Sequence, residues 1–442
     1  MLRPGVRYYS SMNPKKFVRK VLPSTGIKAA EESYRKNRIR AMQVRYGYPA
    51  RNLRIIAVTG TNGKTTTCMS INAMLKYAGY KTAVFTTAVV EVAGKAELNR
   101  RHTTVPVTAD LLRFLKSAKD NDVDFVILEV TSHALHQHKM LNIPIDVAVM
   151  TNLSQDHLDY HGTIEEYAAM KARLFNGYMN PNFCVLNHDD SRFAYYQKQS
   201  VGALSSYGVT KGSDVQISSI KQKADGSTFK LRIEGKSVTV HTQLPGAFNV
   251  YNAATAAATG TVLGLSVKKI SAGIASLKSV PGRMQRVEAG QNFTVLVDYA
   301  VTPDALEKAL VSLQTMTSGK VLVVFGATGD RDKSKRPLMG KVAATGADFV
   351  FLTDDETYTE DPANIRKAVM KGIKKAGGAK KTQEVPDRKE AIAKALKKAK
   401  KGDIVLCTGI GHQDSRNMGG KNEPWNEVDV ITQMLKSDFL YK

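Results

Sequence analysis

Apolar positions along this chain fall into two patterns. Short unbroken runs rich in Val, Ile, Leu and Phe alternate with longer stretches in which apolar residues recur every three or four positions. The runs carry the signature of strands buried on both faces, and the stretches that of helices packed over them. From about Leu53 the runs at Ile55–Thr59, Thr82–Thr86, Phe125–Val130, Val147–Asn152 and Phe183–Asn187 predict a parallel sheet wrapped by helices. Around Val215–Thr242 the pattern shifts to short strands with turns at Asp225-Gly226 and Glu234-Gly235, an antiparallel patch appended to that sheet. Pro281-Gly282 marks a boundary. Beyond it, runs at Val295–Asp298, Val321–Phe325, Phe349–Thr353 and Ile404–Thr408 again alternate with helices. The expected fold class is α/β, with a basic helical segment over residues 1–52, a central domain over 53–282 and a second α/β domain over 283–442.

Composition narrows the class. No apolar run reaches the roughly 18 residues a membrane-spanning helix needs. Cys68, Cys184 and Cys407 lie far apart, which is neither a disulfide framework nor a zinc motif and suits a reducing cytoplasm. The net charge of +24 is large, and its excess sits mainly in two places. One is residues 1–54, where the only acids are Glu31 and Glu32. The other is the Lys-rich stretch from Lys371 to Lys401, read as a solvated helix face. Such charge admits nucleic acid, an anionic membrane surface or polyanionic substrates. No interleaving of aromatic and basic residues of the kind single-stranded nucleic acid needs is present. The first eleven residues read either as a transit peptide or as an extension upstream of Met12, and they lack the apolar core of a secretory signal. Residues 13–46, with Phe17, Val18, Val21, Ile27, Ile39 and Val44 among basic positions, predict one or two short amphipathic helices. These rest either on a membrane surface or on the next domain.

The chemistry concentrates in loops after the strands. Thr59-Gly60-Thr61-Asn62-Gly63-Lys64-Thr65-Thr66-Thr67 follows the first run and precedes the helix expected over Cys68–Tyr77. A strand, a glycine loop bearing a lysine and a hydroxyl, then a helix is a site for a nucleotide's phosphates. The glycines let backbone N–H groups approach an anion, Lys64 reaches the outer phosphates, and the Thr65 hydroxyl can ligate Mg2+. Val58 stands where the common P-loop has its first glycine, so this is the shorter G-x-x-G-K-T-T form. Glu129 ends a strand at the edge where open α/β sheets bind ligands, a natural Mg2+ ligand near Lys64 and Thr65. Asp156, His157, Asp159 and His161 crowd the loop after the next strand in a spacing that matches no zinc signature. His157 suits a second ligand of a Mg2+–phosphate assembly, whereas His161 reads as a satisfied loop histidine. Lys171, taken alone, reads as a surface lysine on a helix. Small residues from Gly246 open a helix that permits close backbone approach. Ligand loops also follow strands at Asp298 and Phe325, so a cleft between the two domains is the expected site.

In order along the chain, GTNGKTT from Gly60, EVTSHAL from Glu129, NLSQDHLDYHG from Asn152, YAAMKARLF from Tyr167 and GAFNVYNAATA from Gly246 resemble the Mur ligases. The series continues with PGRMQRV from Pro281, VDYAVTPDAL from Val297, GATGDRDKSKRPLMG from Gly326, TDDETYTEDP from Thr353 and GIGHQ from Gly409, over about residues 53–430. The branch it resembles is the UDP-N-acetylmuramoyl-tripeptide synthetases of peptidoglycan precursor synthesis and cell-wall biogenesis. The resemblance implies a P-loop-like ATPase domain followed by a Rossmann-like domain. It implies ATP-dependent peptide-bond formation through an acyl phosphate. Gly60, Thr61, Asn62, Gly63, Lys64, Thr65 and Thr66 would hold the phosphates. Thr65, Glu129, His157 and a carbamylated Lys171 would hold Mg2+. Asn252 would lie beside the adenine, with Arg283 and Asp298 as further nucleotide contacts. Thr131, Gln137 and Lys139 match contacts to a UDP-MurNAc-peptide acceptor, with lysine where arginine is usual at the last.

The departures bear on substrate. About 52 residues precede the phosphate loop, where the family's UDP-gripping domain normally takes about a hundred. Val301 stands where histidine is usual. The motif that reads diaminopimelate, Asp-Asn-Pro-Arg, is here Asp355-Glu356-Thr357-Tyr358, without the arginine that pairs with the distal carboxylate. Ile410 and Gln413 replace lysine and glutamate in the segment from Gly409, while Arg331 is kept for the α-carboxylate. The added acid Glu356 favours L-lysine or another basic amino acid. The alternatives are a ligase on another carboxylate, as in folylpolyglutamate or cyanophycin synthetases, and a non-catalytic basic protein that binds nucleic acid. The retained Lys64, Thr65, Glu129, His157 and Lys171 argue for the enzyme. A cytoplasmic monomer is expected, with peripheral membrane contact through the basic N-terminus left open.

Overall fold

The computed structural model describes residues 24–100, 104 and 108–439. The transit-peptide reading, the Met12 start and the apolar positions at Phe17, Val18 and Val21 lie outside the described residues. A helix over Ser24–Arg45 comes first. It is one helix of 22 residues rather than short pieces. Ile39 is buried in it, and Gln43 Nε2 donates to the Leu141 carbonyl at 2.5 Å, so its later turns rest on the body that follows.

That body is built on strands β1 (Arg54–Thr59), β2 (Thr82–Phe85), β3 (Val89–Val92), β4 (Lys95–Leu98), β5 (Phe125–Glu129), β6 (Val147–Met150), β7 (Phe183–Asn187), β8 (Ala203–Gly208), β9 (Val215–Lys223), β10 (Gly226–Ile233) and β11 (Lys236–Thr242). They form one sheet in the order β11-β10-β9-β8-β7-β6-β1-β5-β2-β3-β4. Its middle is parallel, and β9–β11 continue it as the antiparallel patch the sequence indicates. The hairpin of β2 with β3 and β4 at the other edge was not expected from the sequence. Side chains of β1 alternate strictly. Ile55 and Ala57 enter one core with Leu128 and Met150, while Ile56 and Val58 enter the other with Ile71, Val149 and Ala254. A strand buried on both faces has no polar side, which is why its sequence is a continuous apolar run.

A second sheet holds β12 (Gln285–Arg286), β13 (Thr294–Asp298), β14 (Val321–Phe325), β15 (Phe349–Leu352), β16 (Thr382–Glu384) and β17 (Ile404–Thr408), in the order β12-β13-β17-β14-β15-β16. It too separates two cores, with Leu296, Val323 and Leu406 on one side and Val295, Val324 and Val405 on the other. A small hairpin, β18 (Ser415–Met418) with β19 (Lys421–Pro424), follows. In the first sheet β1 lies between β5 and β6, and the chain leaves β1 at the carboxyl edge where Glu129 and Thr151 also emerge. That is the crevice position in which open α/β sheets hold ligands.

Candidate active site

The loop after β1 is shaped by two glycines. Gly60 has φ +148°, and a Cβ there would lie 1.8 Å from Thr151 Oγ1. Gly63 has φ +82°, and its Cβ would lie 2.3 Å from Asn252 Oδ1. Both positions combine left-handed backbone with close approach, so only glycine fits. The helix then runs over Lys64–Tyr77, starting four residues before the sequence expectation, so Lys64 and Thr65 are its first turn. Thr151 Oγ1 and Asn152 Nδ2 donate to the Asn62 carbonyl at 2.6 and 3.0 Å, and the Asn62 N–H donates to Asn152 Oδ1 at 3.1 Å. The residues after β6 therefore brace the loop tip.

Charge converges on one carbonyl oxygen of this loop. Lys64 Nζ donates to the Gly60 carbonyl at 3.2 Å and to the Thr61 carbonyl at 2.9 Å. Lys171 Nζ donates to the same Gly60 oxygen at 2.7 Å, and lies 4.6 Å from the Tyr167 ring centre. Lys171 is 1% exposed, which corrects its reading as a surface lysine. The helix over Ile164–Ala172 turns it inward toward the end of β1. Burial, and then the neighbouring Lys64 ammonium, push its pKa well below the ordinary lysine value. Burial lowers Lys64 too, and Glu129 partly offsets this.

Glu129 is buried at the end of β5 and is held from two elements. Thr65 Oγ1 donates to its Oε2 at 2.9 Å, and the Thr87 N–H and hydroxyl donate at 2.8 and 3.0 Å. Thr87 carries no motif and was missed in the sequence. His157 is also expected as a metal ligand; burial lowers its pKa, with Lys64 and Lys171 adding to the effect against Asp156. Its Nε2 faces Asp156 Oδ2 at 3.4 Å, and its ring lies 4.8 Å from that of His133. Among the described residues no group of three or more His, Cys, Asp or Glu side chains could by itself hold a metal ion. A hydroxyl and a carboxylate joined at 2.9 Å nevertheless form a hard-oxygen pair of the kind Mg2+ takes when phosphates supply its other ligands. His161 Nε2 pairs with Ser132 Oγ at 2.8 Å, the satisfied histidine expected. Burial and the neighbouring His157 push His161 down to about 4; burial and His157 do the same for His133.

The second sheet adds groups to the same loop. Arg283 Nη2 donates to Thr65 Oγ1 at 3.3 Å and lies over the Tyr299 ring at 4.6 Å. Behind it Asp298 accepts from the Met284 N–H at 2.7 Å; burial raises its pKa to about 6 against the pull of Arg283. Asp304 Oδ2 accepts from Asn62 Nδ2 at 2.6 Å and from Ser154 Oγ at 3.1 Å. His412 Nε2 lies 3.0 Å from the Thr87 carbonyl. Asp304 and His412 lie inside or beside quoted motifs, yet only the packing of the two sheets reveals what they touch. Asn252 is placed beside Gly63, and Thr67 Oγ1 donates to its Oδ1 at 3.3 Å.

Two further groups lie away from the loop. Thr131 caps the short helix Ser132–His136 by accepting from the Ala134 N–H, Gln137 ends that helix, and burial lowers the pKa of Lys139. Asp355, Glu356, Tyr358, Arg331, Gly409 and Gln413 gather at the carboxyl edge of the second sheet. A Cβ on Gly409 would lie 2.2 Å from Asp355 Oδ2, Gln413 Nε2 donates to Glu356 Oε2 at 3.3 Å, and Arg331 lies 5.6 Å from the Tyr358 ring centre. Burial raises Asp355 to about 6. Gln413 Oε1 is buried with no hydrogen-bond partner.

Comparison with known proteins places this geometry in a family. The Mur ligase middle domain matches residues 58–260, and the Mur ligase glutamate ligase domain matches residues 282–411. A UDP-N-acetylmuramoyl-L-alanyl-D-glutamate–2,6-diaminopimelate ligase of Geobacillus kaustophilus is 43% identical over 397 residues, covering 88% of this chain and 80% of that protein. The enzyme of the same name from Syntrophomonas wolfei is 37% identical over 393 residues, with the same coverage. A solved structure of a ligase of this name aligns with a TM-score of 0.63 at 34% identity, over 88% of this chain and 80% of that one. Mycobacterium tuberculosis folylpolyglutamate synthase complexed with ADP aligns with a TM-score of 0.68 at 18% identity, over 92% of this chain and 94% of that one, and shares the fold. With a phosphate loop, a buried lysine and a Thr–Glu pair assembled where these motifs meet, the chain belongs to the Mur ligase family of ATP- and Mg2+-dependent ligases.

Proposed function

We propose that this protein joins an amino acid to the free carboxylate of a UDP-MurNAc-dipeptide acceptor, at the expense of ATP. The observation that carries the reading is the convergence of Lys64 and Lys171 on the Gly60 carbonyl beside the Thr65–Glu129 pair. The Lys64 ammonium and helix-terminal N–H groups suit a triphosphate, and an acceptor carboxylate beside them would attack the γ-phosphorus. ADP leaves, and an acyl phosphate forms. The incoming amine then attacks the acyl carbon, loses a proton, and expels inorganic phosphate. Lys64 neutralises charge on the transferring phosphoryl group, Arg283 and Asp298 bracket the nucleotide, and Asn252 sits by the base. Thr65, Glu129 and His157 would hold Mg2+, which supplies further neutralisation when bound.

Lys171 as an ammonium has no lone pair with which to ligate a cation. A buried amine of depressed pKa is, however, the free base that adds CO2, and we propose that it is carbamylated, which exchanges a cation for an anion beside Glu129. Thr131, Gln137 and Lys139 are assigned to the acceptor. Arg331, Asp355, Glu356, Tyr358, Gly409 and Gln413 are assigned to the amino acid. Glu356, joined to Gln413, favours a basic amino acid such as L-lysine. Diaminopimelate is the second reading, favoured by the names of the relatives. Division at 52 and 282 into an N-terminal helical segment, an ATP-binding domain and a C-terminal domain is supported by the two separate sheets. A cytoplasmic monomer is supported by three free, buried cysteines as to compartment. Among the described residues no helix is long and apolar enough to cross a membrane.

The test is an amino-acid panel with UDP-MurNAc-L-Ala-D-Glu, ATP and Mg2+, read as phosphate release and product mass. Turnover with lysine ahead of diaminopimelate is expected. A strong preference for diaminopimelate would refute the reading of Glu356 and Tyr358. No release with any amino acid would refute the ligase reading for this acceptor.

A further inference from the structure

The segment that the acceptor assignment uses runs from the catalytic loop to the N-terminal helix. At one end Glu129 closes β5 and Thr131 caps the helix Ser132–His136. At the other end His138 Nε2 lies 3.3 Å from Glu32 of the helix Ser24–Arg45. Between them the surface is a strip of rings. His133 packs on His157 and on Tyr160 at 4.8 and 4.1 Å, and His136 Nδ1 pairs with the Tyr160 hydroxyl at 2.7 Å.

The far end of the strip is cationic. Arg35 and Lys36 project from the helix, and Arg173 lies over the Tyr178 ring at 5.4 Å. The Tyr178 hydroxyl in turn pairs with His138 Nδ1 at 2.5 Å. These three cations stand against the carboxylates Glu31 and Glu32. Glu31 lies 3.8 Å from Arg35, and Glu32 is shared by Lys36 at 2.6 Å and His138. Nη1 of Arg173 is buried and has no hydrogen-bond partner. A guanidinium nitrogen in that state calls for an acceptor oxygen. Positive charge therefore lies at both ends of this segment, on Lys64 at the loop and on Arg35, Lys36 and Arg173 at the helix.

We propose that the helix Ser24–Arg45 forms part of the acceptor site, with Arg35, Lys36 and Arg173 gripping a diphosphate ester at the end of the acceptor remote from its reacting carboxylate. This rests on the ligase reading above and adds to it a binding element that the matched family regions, which begin at residue 58, do not contain. Arginine forks and a lysine point charge are the groups that recognise phosphate oxygens. A nucleotide-linked and a polyprenyl-linked acceptor present the same diphosphate.

The experiment compares the wild type with the double variant Arg35→Ala, Lys36→Ala and, separately, with Arg173→Gln. Arg35 and Lys36 are partly exposed, so the double variant should fold. Initial rates are measured with UDP-MurNAc-dipeptide, with a detergent-dispersed polyprenyl-diphosphate-linked acceptor, and with MurNAc-dipeptide lacking any diphosphate. Loss of charge-assisted hydrogen bonds should raise KM for a diphosphate acceptor about tenfold or more, with KM for ATP unchanged. KM for the diphosphate-free acceptor should be the same in all three proteins. Whichever diphosphate acceptor responds names the carrier. An unchanged KM for both, or an equal rise with the diphosphate-free acceptor, overturns the site. If the wild type turns over no acceptor, the ligase reading fails separately. UDP titrated into wild type and variants by calorimetry then decides the site: tighter binding to the wild type sustains it, and equal or absent binding overturns it.

Discussion

Lys64 and Lys171 donate to the same oxygen, yet only one of them is conspicuous in sequence. Lys64 is marked by the glycines before it and the threonines after it, since few other uses exist for that combination. Lys171 lies in a helical run whose periodicity assigns it no special face, and its burial is decided by how that helix meets the end of β1. Lys64→Ala should lower ATP-dependent phosphate release by roughly a thousandfold while the thermal melt stays cooperative, since it removes charge neutralisation and no packed core. Lys171→Ala should also be inactive, but formate or acetate should restore part of the rate if a carbamate is the working form; no rescue at any carboxylate concentration would remove that assignment. Asp298 offers a pH test. Its native pKa of about 6 exceeds the ordinary value of 3.8, so the native state holds its proton more tightly than the unfolded chain. The resulting stabilisation is complete below about pH 4 and is lost as pH rises through 6. Asp298→Asn keeps an oxygen for the Met284 N–H without the titration. Relative to wild type, the variant should gain stability in urea melts between pH 4 and 6, by on the order of 1–3 kcal/mol.

At the scale of elements, the turn from β1 into its helix is the most constrained piece of backbone. Its constraint is legible from both ends: the apolar run requires a central strand, and Gly63 at φ +82° permits the immediate start of the helix at Lys64. Gly63→Ala puts a methyl group 2.3 Å from Asn252 Oδ1 and forces a residue with Cβ into left-handed backbone. It should destabilise the protein by about 1–3 kcal/mol and weaken nucleotide binding, measurable as a lower melting temperature and a raised Kd for a non-hydrolysable ATP analogue. In the C-terminal half, the Lys-rich stretch is a solvated face on helices Pro362–Lys375 and Arg388–Lys398, as expected from charge pattern. One residue within it behaves otherwise. Arg388 is fully buried, bonded to Glu427 at 2.6 Å and to the Thr408 carbonyl at 2.9 Å. Glu427→Ala leaves that guanidinium unpaired and should cost about 3–5 kcal/mol in chemical denaturation. Sequence could not single out Arg388, because its partner lies 39 positions away on another helix.

Across the whole molecule, the two sheets meet at the phosphate loop. Asp304 holds Asn62 and Ser154, Arg283 holds Thr65, and His412 reaches the carbonyl of the residue that holds Glu129. Contacts from the C-terminal sheet therefore help to fix the loop groups proposed to meet the γ-phosphate. Asp304→Ala should leave the melting temperature within a few degrees, because the carboxylate is part-exposed and packs no core. It should lower kcat roughly ten- to a hundredfold through misplacement of the loop, with a larger radius of gyration in solution scattering of the ATP-analogue complex. An unchanged kcat would show that the two units close correctly without this contact.

The sequence by itself determined the α/β class, the split into two sheets, the phosphate loop and the family. Each of these is written in local pattern: continuous apolar runs for strands buried on both faces, glycines where backbone must turn left-handed, and motifs in fixed order. It also marked the segment proposed for the amino acid, Asp355 to Tyr358, as differing from the motif expected of a diaminopimelate ligase, because a missing arginine is visible without coordinates. What only the tertiary structure decided are pairings between residues remote in the chain. The burial of Lys171, the hold of Thr87 on Glu129, the tie of Asp304 to Asn62 and the approach of the N-terminal helix to His138 all depend on which loops share an edge of a sheet. That edge is set by strand order, and strand order follows from burying both faces of every central strand at once, a condition on the whole chain rather than on any segment of it.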